Sequence, residues 1–149
     1  VRALAYILHL GNEGLKEVSH IAVLNANYIH ARLKHAYTSA FDNQFMHECI
    51  FTATPQAAKG TRALDIAKAL LDYGYHAPTV YFPLTVPESI MIEPTETESK
   101  ETIDGFCDAM LEIAARIEAE DNAYQDAPTT LSVRRLDEVR AAKSLNCSY

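Results

Sequence analysis

Residues 89–117 read SIMIEPTETESKETIDGFCDAMLEIAARI, and the apolar period changes part-way along this stretch. Ser89-Ile90-Met91-Ile92-Glu93 is a short apolar run closed by Pro94, the pattern of a strand. Beyond it, Ile103, Phe106, Cys107, Met110, Ile113, Ala114 and Ile117 recur at spacings of three and four, the stripe of a helix laid on a core. Thr95 with Glu98 fits a capping box for that helix, with Thr97 and Ser99 as rival caps. A strand feeding a long amphipathic helix points to short strands and helices packed in two layers.

Working upstream, Thr79-Val80-Tyr81-Phe82 is a second strand, ended by Pro83. Before it, Thr61 is expected to cap a helix whose stripe is Leu64, Ala67, Leu70 and Leu71. Gly74 follows the last periodic residue, where a left-handed C-cap is expected. Phe45-Met46-His47-Glu48-Cys49-Ile50-Phe51-Thr52 is rich in aromatic and branched residues and predicts a third strand. Both faces of that strand are partly apolar, so neither is singled out as the buried one. The segment through Ser39 and Asn43 is a polar loop. The first helix is expected over residues 13–36, with Asn12 as N-cap and Leu15, Val18, Ala22, Ile29 and Leu33 facing inward.

Downstream, the chain loosens around Pro128, and residues 135–143 predict a short helix with a thin apolar face, Leu136 and Val139. The expected architecture is a two-layer α+β domain over residues 1–122, with a short three-stranded sheet and helices on one face. Residues 123–149 are expected to be an extension that leans on a neighbouring surface. Leu64, Ala67, Leu71, Ile90, Ile92, Phe106, Met110, Ile113 and Ile117 are the expected core.

The chain has 149 residues, 48% of them hydrophobic and 22% charged, the composition of a single globular domain. A net charge of −7 argues against nucleic acid as a partner, because phosphate neutralisation needs a basic surface. No apolar run is long enough to span a membrane. The first apolar stretch is interrupted by His9, Asn12, Glu13 and Lys16, which is unlike a signal peptide. A start at Val1 reads as the trimmed end of a longer polypeptide. Cys49, Cys107 and Cys147 lack metal-type spacing; the first two sit in apolar patterns and are expected to be buried thiols, suited to the cytoplasm.

Candidate chemistry is sparse. His47-Glu48 reads either as an acid/base or ligand pair or as one buried and one exposed strand residue. Adjacent strand positions point to opposite faces, so the two are not expected to meet easily on one substrate atom. His76 lies between Gly74-Tyr75 and Ala77-Pro78, either a functional loop residue or a structural turn. His20 and His30 read as surface residues of the first helix, and His9 and His35 carry no signal. There is no glycine-rich phosphate loop and no nucleophile elbow, and no metal site is expected. The six lysines, Lys16, Lys34, Lys59, Lys68, Lys100 and Lys143, fall on polar faces or loops, without the burial or cationic neighbours that activate an amine.

Tyr73-Gly74-Tyr75-His76-Ala77-Pro78-Thr79-Val80-Tyr81-Phe82-Pro83, followed by Met91-Ile92-Glu93-Pro94-Thr95-Glu96-Thr97-Glu98-Ser99-Lys100-Glu101, resembles the C-terminal signature of the glycine decarboxylase family, the P-proteins of the glycine cleavage system. Ala22-Val23-Leu24-Asn25-Ala26-Asn27-Tyr28, His47-Glu48-Cys49 and Leu64-Asp65-Ile66-Ala67-Lys68 agree with it, so the resemblance extends over essentially the whole chain. Tyr81-Phe82-Pro83-Leu84 and Arg135-Leu136-Asp137-Glu138 look like subunit 2 of the two-subunit bacterial form. The resemblance implies a pyridoxal phosphate enzyme of the aspartate-aminotransferase fold type, of which this is the small domain. It implies loss of the carboxylate of glycine as carbon dioxide and passage of the aminomethyl group to the lipoyl arm of H-protein, with P-protein subunit 1 as partner. The family's cofactor-bearing lysine lies elsewhere, so no catalytic and no cofactor-binding residue is expected in this segment. By itself the segment is expected to be inactive, with no covalently bound cofactor.

Glu93, Thr95, His47 and His76 are the candidates for the rim of the substrate pocket. Other enzymes of this fold type usually carry a carboxylate-binding arginine in the small domain. Residues 90–98 contain none, which favours the decarboxylase over them. A non-enzymatic α+β interaction module is the alternative from another class.

Overall fold

A computed structural model describes residues 1–120 and 122–146. In chain order the elements are α1 (Arg2–Leu33), β1 (Thr38–Ser39), β2 (Cys49–Thr52), α2 (Thr54–Ala58), α3 (Ala63–Asp72), β3 (Thr79–Val80), β4 (Ser89–Ile92), α4 (Lys100–Ala119) and α5 (Glu138–Lys143). The architecture is α+β, but the sheet has four strands, all antiparallel, in the order β1-β2-β4-β3. The expected three-stranded sheet is corrected by β1, which pairs Thr38 with Thr52 and Ser39 with Phe51. Two residues are too few to show an alternating pattern, so this strand reads as polar loop.

The third expected strand is also shorter than its composition suggested. It begins at Cys49, and upstream of it the side chain of Asn27 on α1 takes the backbone groups of Phe45. Asn27 Nδ2 donates to the Phe45 carbonyl at 2.6 Å, and the Phe45 N–H donates to Asn27 Oδ1 at 3.1 Å. A side chain thus satisfies the groups that a sheet partner would have held.

Cys49 pairs with Ile92 and Phe51 with Ile90, so these four residues share one face of the sheet. The rings of His30 and Tyr37 lie against Phe51 from the α1 side. His30 is therefore half-buried, bonded to Ser39 Oγ at 2.9 Å, and not the surface residue expected. Ile29, Leu33, Ile66, Leu70, Met110, Ile113 and Ile117 complete the core, with the Tyr37 hydroxyl donating to the Met110 carbonyl at 2.9 Å. Leu64 and Leu71 are only half-buried. The inward face of α3 is rotated to Ala63, Ile66, Ala67 and Leu70. Phe106 also stays half-open.

The helix ends depart from expectation where other groups claim the caps. α1 extends upstream to Arg2, with a kink at Gly11; residues 2–9 are exposed, so no buried face marks them in the sequence. Thr61 does not cap α3. Its hydroxyl is buried and donates to the Ala123 carbonyl at 2.7 Å, while the first turn of α3 is closed by Asp65 accepting from Arg62 N and by Glu88 accepting from Ala63 N. The C-terminal end behaves as expected. Gly74 has φ 81°, its N–H donates to Leu71 O, and that of Tyr75 to Leu70 O, a Schellman motif. α4 is capped by Ser99, whose Oγ accepts from Thr102 N at 3.1 Å, and not by Thr95.

After α4, Ala123, Ala127 and Pro128 are buried on this chain. Asp72 accepts from the N–H and hydroxyl groups of both Thr129 and Thr130, at 2.7–3.1 Å. Beyond Thr130 the contacts are polar: Arg135 donates to the Ala127 and Tyr124 carbonyls and pairs with Asp65 at 2.6 Å. Leu136 and Val139 remain 67% and 63% exposed and cover no surface of this chain. Cys147 lies outside the described residues.

Candidate functional site

The segments entering β3 and leaving β4, residues 75–79 and 91–95, lie side by side and open between α1 and α4 onto a cleft of about 390 Å³. Its floor is apolar: Ile29 from α1, Met91 from β4, Ile103 and Phe106 from α4. Its rim is polar: His76, Glu93, Thr95 and Glu98. The spacing of α1 and α4 beside the floor is fixed by Arg32, which bonds Asp104 at 2.8 Å and Asp108 at 2.7 Å. The Tyr28 hydroxyl also donates to Asp104, at 2.6 Å.

Phe106 is half-exposed because it is a wall of this cleft, with Tyr75 set edge-on against it at 5.5 Å between ring centroids. That placement depends on two glycines. Gly74, in its left-handed conformation, turns the chain so that Tyr75 returns over α4. Gly105 leaves the space the ring occupies: a Cβ there would lie 2.5 Å from the Tyr75 hydroxyl oxygen.

Three of the four rim candidates, His76, Glu93 and Thr95, line the cleft, and the fourth, His47, sits just outside it. His47 Nε2 lies 3.6 Å from Glu93 Oε1 and 3.9 Å from Glu48 Oε2. The expectation that His47 and Glu48 do not easily meet on one substrate atom loses its basis. It assumed strand alternation, and these residues precede the strand. One ligand atom from each of His47, Glu48 and Glu93 lies within 4.8 Å of the others, a grouping that could hold a metal ion, although His47 and Glu93 are open to solvent.

The electrostatics of the cleft are one-sided. Glu93 and Glu98 face it, and no lysine or arginine is among its lining residues. The buried thiols offer no nucleophile: burial above all pushes Cys49 up to about 12 and Cys107 up to about 11, so both stay protonated near neutral pH.

Thr95 has φ 61°, and its carbonyl accepts from Asn25 Nδ2 on α1 at 2.9 Å. Neither Asn25 nor Tyr75 and Phe106 was assigned to a site from the sequence. For Asn25 a signal existed: two asparagines, Asn25 and Asn27, stand in mid-helix, where their propensity is poor and a tertiary partner is the usual reason.

Comparison with known proteins gives this geometry a context. The profile of the family described as "Glycine dehydrogenase, C-terminal domain" matches residues 18–133. The chain is 57% identical over 143 residues to "Probable glycine dehydrogenase (decarboxylating) subunit 2" of Exiguobacterium sibiricum, covering 96% of this chain and 29% of that protein. It is 54% identical over 149 residues to the protein of the same name from Bacillus velezensis, covering 100% and 30%. With that from Bacillus thuringiensis it shares 53% over 143 residues, covering 96% and 29%. The chain thus spans about three-tenths of the length of these relatives.

Proposed function

The chain belongs to the glycine dehydrogenase C-terminal domain family, and from that premise we propose that it is the small domain of a pyridoxal-phosphate-dependent glycine dehydrogenase (decarboxylating). In the complete protein, glycine loses its carboxylate and the aminomethyl group passes to the lipoyl arm of H-protein. The "subunit 2" in the names of its relatives supports a partner subunit 1.

Within that protein the contribution of this chain is a wall of the substrate pocket. The cleft offers no amine to the aldehyde of the cofactor and no lysine or arginine to its phosphate, so its residues do not fit as the cofactor's holder. Lys59 is paired with Glu118 and Lys100 with Asp104, and neither lysine lines the cleft. The cofactor is held by parts of the protein outside this chain.

The observation that carries the reading is the acid-rimmed cleft, without lysine or arginine in its lining, formed around residues 75–79 and 91–95. A carboxylate that leaves as neutral carbon dioxide loses its charge in the reaction. A fixed lysine or arginine beside it would stabilise the ground state more than the transition state and slow the step. Glu93 and Thr95 instead present an acid and a hydroxyl, above an apolar floor that includes Ile103 and Phe106. Glu93→Gln and Thr95→Val in the complete enzyme are expected to lower kcat/KM for exchange between glycine and bicarbonate by roughly 10-fold or more, the scale of one lost polar contact. Wild-type exchange with only thermal stability reduced would contradict the assignment.

A further inference from the structure

Thr95 is β-branched and yet sits in the left-handed region, at φ 61°, a conformation a threonine holds only when its surroundings enforce it. Its local contacts hold the side chain and leave the carbonyl free. The Thr95 hydroxyl oxygen lies 3.0 Å from that of Thr97 and accepts from Thr97 N only at 3.4 Å. The hold on its backbone comes from far away in sequence. Asn25 Nδ2 donates to the Thr95 carbonyl at 2.9 Å across 70 positions. One residue further on, the hydroxyl of Tyr6, also on α1, donates to Glu96 Oε1 at 2.5 Å. On the other side Pro94 is buried, which fixes where the turn starts. A strained turn that lines the cleft is thus clasped by a helix whose own side chain, Ile29, forms part of the floor.

We propose that Asn25 is a positioning residue: by holding the Thr95 carbonyl it keeps the 93–95 turn in its strained conformation and so sets Glu93 and Thr95 at the substrate-facing rim. This rests on the reading of the cleft as the glycine pocket. Asn25 does not line the cleft, so any effect on substrate passes through the turn. Without its donor the threonine relaxes toward an extended backbone, and the rim residues turn away from the cleft. A glycine at position 95 has no such preference and keeps the turn available.

The test uses the complete enzyme with its partner subunit, well below its melting temperature, and reads glycine–bicarbonate exchange. Asn25→Ala is expected to raise KM for glycine at least five-fold while changing kcat less than two-fold. Asn25→Asp, which keeps the size and removes the donor, is expected to do the same and replaces Asn25→Ala should that variant not fold. Adding Thr95→Gly to Asn25→Ala is expected to bring KM within two-fold of Thr95→Gly alone, the non-additivity of residues acting through one element. Unchanged KM in both Asn25 variants, with only a lower Tm, overturns the proposal. So does a double variant whose effects simply add. The two levels separate through Glu93→Gln and Phe106→Ala. If these alter exchange and the Asn25 variants do not, the positioning role alone fails. If none of them alters exchange, the pocket reading fails and takes the positioning role with it.

Discussion

Asp72 shows how a single carboxylate ties the later part of the chain to the core. Burial would raise its pKa, but the hydrogen bonds from Thr130 and Thr129 outweigh that and hold it below the ordinary value of 3.8. A carboxylate with a lowered folded-state pKa contributes stability that is fully present above its unfolded value and is lost as the pH falls through the folded value. Asp72→Asn is therefore expected to cost about 1–3 kcal/mol at pH 7 and to flatten the loss of stability below about pH 4. Urea unfolding across pH 2–7 checks both. Two residues of one helix offer a second comparison. Met110 is sealed in the core, and Met110→Ala is expected to cost about 2–5 kcal/mol. Phe106 is half-open to the cleft, so Phe106→Ala is expected to cost less, about 1–2 kcal/mol. Equal losses in chemical denaturation would contradict a cleft-wall role for Phe106.

At the scale of elements, the junction after α3 carries the cleft's geometry. Gly74→Ala forces a Cβ into the left-handed region and is expected to cost about 1–2 kcal/mol, measurable as a lower urea midpoint. The same comparison of elements separates what was legible in the sequence from what was not. The stripe of Ile103, Met110, Ile113 and Ile117 and the stop at Gly74 were readable because they depend on local periodicity and local backbone sterics. The start of β2 was not readable, because Asn27, 18 positions away, occupies the backbone of Phe45. Nor was the cap of α3, since Thr61 is drawn off to Ala123; for α4 the sequence offered Ser99, the observed cap, beside Thr95 and Thr97, and Thr95 stands instead in a left-handed turn bonded to Asn25. His76, Glu93 and Thr95 could be named from the family signature, but their meeting in one cleft depends on long-range contacts that no local pattern encodes.

For the whole molecule, the chain has a core, a cleft and no lysine in that cleft, within relatives more than three times its length. This division is what the proposed function requires: one part holds the cofactor, and this part shapes the space beside it. Among the described residues no helix is long and apolar enough to cross a membrane. The exposed Leu4, Ile7, Leu8, Leu136 and Val139 are surfaces this chain does not cover by itself. The most direct measurement is exchange of labelled bicarbonate into the carboxyl group of glycine. It is made with the complete protein, pyridoxal phosphate, the partner subunit and lipoylated H-protein. The expected result is label in glycine that depends on all the components and falls with Glu93→Gln. A fully assembled, cofactor-loaded complex that incorporates no label would contradict the account.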